Sequence, residues 1–212
     1  MLGLFERQVG YFYFRDELRL EEAALARLLA QHGRVLSQRR DTLARKGERL
    51  KTSLGLDDPE LRRLVCAQPT LLGHDEHALG RKVAWLANAT GCATTRELGV
   101  ACLKCPSLLS TSAARVLAPN LRLYERLDET GALVARLRET YPAALRAAAL
   151  GDTLKELGRC DVSPLDAAWR EPRVLALASG GAVQFLGGRL ETDCSRASTQ
   201  THRSTHKTQH DA

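Results

Sequence analysis

The densest charge in the sequence runs from Arg34 to Lys51, RVLSQRRDTLARKGERLK, where Arg34, Arg39, Arg40, Arg45, Lys46, Arg49 and Lys51 stand against only Asp41 and Glu48. Arg45 and Arg49 are one helical turn apart, so a helix would set them side by side. Cations in such rows neutralise backbone phosphates, and binding of that kind weakens steeply with salt. Arg81 and Lys82, then Arg115, Arg122 and Arg126, recur further along. For any one of these residues a solvated helix face is an equally good reading. Their recurrence is what makes a collective basic track.

Sulfur and imidazole offer less. Cys102 and Cys105 form a CxxC, CLKC, but zinc takes four ligands, and neither a second CxxC nor a suitably spaced His pair follows. Cys102 stands in the same register as the apolar Val65, so packing accounts for the pair. His74 and His77, beside Asp75 and Glu76, read as the opening of a solvent-facing helix, with Asp75 able to cap it and acids favoured by the helix dipole. His202, His206 and His210 recur every four residues among Ser, Thr and Gln, in a polar tail expected to be disordered. No Gly-rich phosphate loop follows a strand, and no nucleophile, base and orienting group stand together. The reading is a binding protein without catalytic residues, metal or cofactor.

Bulk properties agree. Of 212 residues, 44% are hydrophobic, enough for a sizeable core, and only 5% are aromatic; abundant Ala, Leu and Arg favour helices. A net charge of +6 leans mildly toward a polyanionic partner. No apolar run is long enough to span a bilayer, so no membrane partner is expected. Six cysteines without a secretory signal read as reduced thiols. The opening MLGLFERQVGYFYFRDE carries Glu6, Asp16 and Glu17 and no Ser, unlike a transit peptide, so either targeting information is absent or the natural chain starts upstream.

What would position the cations is a repeat. ALARLLAQHGRVLS (from Ala24), ELRRLVCAQPTLLG (from Glu60), ELGVACLKCPSLLS (from Glu97) and LVARLRETYPAALR (from Leu133) align on a breaker at Gly33, Pro69, Pro106 and Pro142, spaced 36, 37 and 36 residues apart. In each, an apolar residue lies eight positions before the breaker: Leu25, Leu61, Leu98 and Val134. A compressed fifth copy carries Pro172, with a stripe of Leu165, Ala168 and Trp169 shifted by one. Asp58 as N-cap with Pro59 at the first helical position starts the clearest first helix. Thr94 with Glu97, and Ser163 with Asp166, have capping-box spacing. Second amphipathic segments follow at 39–54, 75–88, 112–127 and 145–157, most ending at a glycine suited to a left-handed cap: Gly55, Gly91, Gly131 and Gly158. Gly180, Gly181, Gly187 and Gly188 bracket AVQFL as turns around a last short helix.

A unit of helix, proline break and helix cannot bury its apolar face alone, so neighbours stack. Leu54–Gly55, Pro69 to Gly73 (PTLLG), Pro106 to Ser110 (PSLLS) and Ala118 to Leu127 (APNLRLYERL) together resemble the repeat of the mitochondrial transcription termination factor (mTERF) family, over about Ala23 to Leu177. The resemblance implies an all-α superhelical solenoid, right- or left-handed. It also implies a protein that binds nucleic acid in mitochondria or chloroplasts and influences transcription, its termination, or RNA maturation. Residues 1–19 are expected to cap the array or to be the remnant of an earlier repeat, 20–189 to form the repeat domain and 190–212 a disordered tail. The chain is expected to act as a monomer, and the track to comprise Arg39, Arg40, Arg45, Lys46, Arg49, Arg81, Lys82, Arg115, Arg122 and Arg126. Two alternatives stand beside this one. A pentatricopeptide- or octotricopeptide-type RNA binder would lack the Pro-x-Leu-Leu break, and a protein-interaction scaffold would bind no nucleic acid.

Overall fold

In the computed structural model, residues 10–160 and 162–177 are described, and every regular element among them is helical. The chain divides into two compact units, residues 1–146 and 147–212. The boundary falls just after the break of the fourth repeat. The predicted tail at 190–212 and the AVQFL helix lie outside the described residues.

In the first unit a short π-helical turn, Tyr13–Glu17, precedes α1 (Glu22–Leu36) and α2 (Arg40–Leu54). The second repeat is α3 (Asp58–Ala67), the 3-10 turn Pro69–Gly73 and α4 (Glu76–Ala89). A third follows as α5 (Thr95–Lys104), the turn Pro106–Leu108 and α6 (Ala118–Leu127), and a fourth opens with α7 (Ala132–Thr140) and the turn Pro142–Arg146. The second unit holds α8 (Leu150–Arg159), α9 (Pro164–Arg170) and the turn Pro172–Ala176. Within the first unit the first helices stack in order, α3 on α5 and α5 on α7, while α2 packs on α4 and α5.

The break has one geometry, used four times. The residue before each proline sits at nearly the same backbone angles: Gln68 (φ −143°, ψ 72°), Cys105 (−140°, 77°), Tyr141 (−145°, 68°) and Glu171 (−139°, 77°). A proline ring forbids helical geometry to the residue before it and brings no N–H of its own, so the helix must stop there. That residue's N–H still reaches back four residues, to Leu64, Ala101, Leu137 and Ala167, and its carbonyl accepts from Leu71, Leu108, Ala144 and Val174 three residues on. Two buried apolar side chains follow each time: Leu71 and Leu72, Leu108 and Leu109, Ala144 and Leu145, Val174 and Leu175.

Several expectations need correction. Gly33 breaks nothing, because α1 runs through it to Leu36. Glycine keeps its N–H and leaves the preceding residue free to be helical, at a cost of only about 1 kcal/mol. The first copy nonetheless buries Leu25, Leu28, Val35 and Leu36 in register. Asp57, not Asp58, is the N-cap of α3; its carboxylate accepts from Glu60 N–H at 2.8 Å while Glu60 returns to the Asp57 N–H, a complete capping box. The fifth stripe is not shifted: Ala167 and Ala168 are buried five and four residues before Pro172, while Leu165 and Trp169 are only partly covered. Alanines at those positions gave no hydrophobic signal to align on. Gly55 and Gly91 close α2 and α4 with φ of 58° and 63°. Gly131 instead precedes α7, and Gly158 lies within α8. The fourth second segment starts at Leu150, because Leu145 belongs to the turn.

The segment 112–127 absorbs an internal proline. Pro119 would drive its ring into the carbonyl of Arg115 in a regular helix, and the wider π turn Ala113–Leu117 opens that space. Glycine matters where helices touch: a Cβ on Gly99 would lie 2.1 Å from the Leu54 carbonyl oxygen, so α5 meets the end of α2 backbone to side-chain-free backbone.

Ion pairs clamp neighbouring repeats. The Arg96 guanidinium spans Glu60, at 2.7 Å through one nitrogen, and the Gly55 carbonyl, at 3.0 Å. With the Asp57 N–H, it holds the Glu60 carboxyl down at about 2. A carboxyl depressed in the folded state contributes stability above its unfolded pKa and loses it as pH falls through the folded value. Between about pH 5 and pH 2.5, the melting temperature of wild type should therefore fall further than that of Glu60→Gln; parallel acid limbs would contradict the clamp. Leu72→Ala, which hollows the layer under a break, should cost about 2–5 kcal/mol in chemical denaturation. Pro69→Ala, which leaves Leu71 and Leu72 in place, should cost less than half as much; equal losses would mean that the proline, not the leucines, holds the repeat.

Candidate nucleic-acid interface

The second helices carry the cations, and the structure sorts them into three groups. Arg45 and Arg49 both turn to Glu76, at 3.3 Å and 2.7 Å, and their hydrogen bonds lower the Glu76 carboxyl below its ordinary value. Arg40 pairs with Glu17. These three are exposed but already hold a carboxylate.

Lys46 and Lys82 do something else. Lys46 Nζ donates to the Leu72 carbonyl at 3.0 Å and to Gln38 Oε1 at 2.7 Å, while Gln38 Nε2 donates to the same carbonyl at 3.0 Å. Lys82 Nζ donates to the Thr111 carbonyl. Leu72 and Thr111 lie three and five residues after Pro69 and Pro106, where the chain leaves carbonyls without helical partners. In the next repeat neutral donors serve the same purpose: Asn120 Nδ2 reaches the Leu145 carbonyl at 3.1 Å and Tyr124 Oη the Ala144 carbonyl at 2.9 Å. Both lysines are half-buried and burial lowers both pKa values. Lys46 is partly compensated by Glu76 and Asp75; for Lys82 the one opposing influence is Cys102.

The third group comprises Arg39, Arg81, Arg115, Arg122 and Arg126. All are exposed, and among the described residues none makes an ion pair. Arg122 and Arg126 lie one turn apart on α6, opposite the buried Leu121 and Tyr124. Arg115 sits on the π turn that leads into it.

Two arginines outside the predicted set matter. Arg138, 4% exposed, occupies the apolar register four residues before Pro142. Its guanidinium binds Glu97 at 2.8 Å, the Thr90 carbonyl at 2.8 Å and Cys92 Sγ at 3.4 Å, so it is a strut between repeats. Arg146, exposed, donates from Nε to Thr111 Oγ1 at 3.1 Å. Repeat register could have flagged both, since Arg138 breaks an apolar column and Arg146 follows the break directly. Cys102 and Cys105 are both buried, and burial pushes the Cys102 thiol up to about 12. Such a thiol is a packing group at neutral pH. No three His, Cys, Asp or Glu side chains converge on one point among the described residues, and no described helix is long and apolar enough to cross a membrane.

The repeated break, the leucine pairs beneath it and the cation-bearing second helices belong to one kind of repeat. The family model mTERF matches residues 6–155, and no curated protein and no solved structure matches the chain. That match covers well over half the sequence, and the chain belongs to the mTERF family, whose members are nucleic-acid-binding regulators in organelles.

Proposed function

We propose that this protein binds double-stranded DNA or RNA in a mitochondrion or chloroplast through the backbone phosphates, and regulates transcription, including its termination, by occupying the template rather than by catalysis. The observation that carries the reading is the third group of cations: Arg39, Arg81, Arg115, Arg122 and Arg126 run from the start of α2 through α4 to the π turn and α6, exposed and, among the described residues, in no ion pair. Cations already paired to acids gain little from a phosphate, since one counter-ion merely replaces another. Unpaired, exposed guanidinium groups gain a charge-assisted bond and release counterions from the strand. Arg40, Arg45 and Arg49 support the track at its edge, where they can exchange Glu17 or Glu76 for a phosphate.

The test is an electrophoretic mobility shift with duplex DNA, single-stranded DNA and RNA at 50 mM and 200 mM salt. Four phosphate contacts imply a loss of about 10²-fold in affinity over that fourfold rise in salt. Reversing Arg81, Arg115, Arg122 and Arg126 to Glu should abolish the shift while the far-ultraviolet helical signal stays. If the reversed protein shifts the same probes at the same concentrations, the track is not the binding surface. If no probe shifts with wild type at 50 mM salt, a scaffold role replaces the whole reading.

A further inference from the structure

Superposing the repeats by their prolines exposes a substitution in the second turn-to-helix junction. Six and seven residues after Pro69 come Asp75 and Glu76; six and seven after Pro106 come Ser112 and Ala113. Both junctions are capped from the same position. Asp75 caps α4 by accepting from the Ala78 N–H at 2.8 Å, and Ser112 caps the π turn by accepting from the Arg115 N–H at 3.3 Å. Glu76 and Ala113 are thus the first helical residues at equivalent places. The cations correspond in part: Lys46 serves the Leu72 carbonyl, three residues after Pro69, and Lys82 the Thr111 carbonyl, five after Pro106. Arg45 and Arg81 stand directly before these lysines, while Trp85 stands where the first junction has Arg49. In the first of these junctions Glu76 answers the cations, holding Arg45 and Arg49 and compensating Lys46. The second junction keeps the lysine and the arginine before it and lacks the acid.

More positive charge gathers there from a third element. Arg146, at the end of the turn Pro142–Arg146, reaches Thr111 Oγ1, while Lys82 reaches the carbonyl of the same residue. Among the described residues neither Lys82 nor Arg146 makes an ion pair, and Arg81 and Arg115 make none either. The hydroxyls of Ser110 and Thr111 donate to the Ser107 carbonyl, and the Thr111 hydroxyl oxygen also accepts from Arg146. A half-buried ammonium with a carbonyl and no counter-ion is electrostatically undercompensated, and an anion beside it recovers what burial took away.

We propose that the junction around Thr111 is a phosphate site, in which Lys82 and Arg146 hold one phosphate group in the place that the Glu76 carboxylate fills one repeat earlier. Ser112 and Ala113 keep that place uncharged, and Arg81 and Arg115 flank it. The site deepens the nucleic-acid reading and rests on it for its source of phosphate, the strand backbone. It fixes where along the repeats a strand is gripped: the second-repeat junction is self-neutralised, and the third-repeat junction is open.

The experiment restores the missing acid. Ala113→Glu places a carboxylate in the first turn of a helix, where the dipole favours it, so the fold is retained. With Ala113→Gln as the neutral control for size and Arg63→Gln as a control for loss of an exposed cation elsewhere, affinity for a duplex is measured by fluorescence anisotropy across salt. Ala113→Glu should weaken binding about tenfold at low salt and reduce the slope of log affinity against log salt by about one contact's worth, about 0.9; both controls should match wild type. Glu76→Gln should do the opposite and tighten binding. Wild-type affinity and slope in Ala113→Glu would overturn the site while leaving the track in place. A second arm uses tripolyphosphate and thermal melting of the full chain. Wild type should be stabilised, and Ala113→Glu and Arg146→Gln should not. If wild type binds no nucleic acid, this arm decides alone: stabilisation lost in both variants upholds a site for free phosphate, and equal response in all three proteins overturns it.

Discussion

Everything in this fold depends on a helix that is made to stop. At Gln68, Cys105, Tyr141 and Glu171 the following proline ring removes helical geometry from one residue and a donor from the next, and the chain answers with the same pair of angles each time. That bend drops two apolar side chains under the first helix and sends the second helix back alongside it. The repeat is therefore a solution to one local steric problem, and its spacing is the spacing of the prolines. Where the proline is absent, at Gly33, the helix simply continues, and the array starts with a straight α1.

Stopping a helix has a consequence for its carbonyls. A buried carbonyl without a donor costs about 1–3 kcal/mol, and each break creates some. Side chains from the preceding repeat's second helix supply the donors: Lys46 for Leu72, Lys82 for Thr111, Asn120 and Tyr124 for Leu145 and Ala144. The interface between repeats is thus polar at its edge and apolar beneath. Part of the positive charge in the sequence belongs to this architecture. Arg96, Arg138 and Lys104 extend the same principle to the first helices, tying α5 to the Gly55 and Glu60 region, α7 to Thr90 and Glu97, and α5 to the Glu139 carbonyl.

Charge left over from that work is what a polyanion can use. The number of cations overstates it, because Arg40, Arg45 and Arg49 are held by acids and Lys46 lies between a carbonyl and Glu76. The exposed arginines of α4, the π turn and α6 remain, beside a junction whose capping residues, Ser112 and Ala113, are uncharged. Repeats that share one break can in this way differ in charge from one to the next by exchanging two residues, Asp75 and Glu76 against Ser112 and Ala113, at junctions capped from the same position.

The sequence alone determined the all-helical class, the period, the breaks at Pro69, Pro106, Pro142 and Pro172, and the caps at Asp75, Thr94 and Ser163. These are local effects: ring sterics, side-chain to backbone hydrogen bonds one turn apart, and an apolar period matched to the helix. It misplaced what depends on the absence of a strong local signal, such as the unbroken helix at Gly33 and the alanine stripe of α9. Only the tertiary structure decided which cations are engaged. Lys46 and Lys82 look like Arg45 and Arg81 in a charge count, and Arg138 like any helix-surface arginine. Their roles are set by carbonyls and carboxylates 26 to 48 residues away in the chain, brought near by stacking. No pattern within a single repeat contains that information, because each partner lies in another repeat.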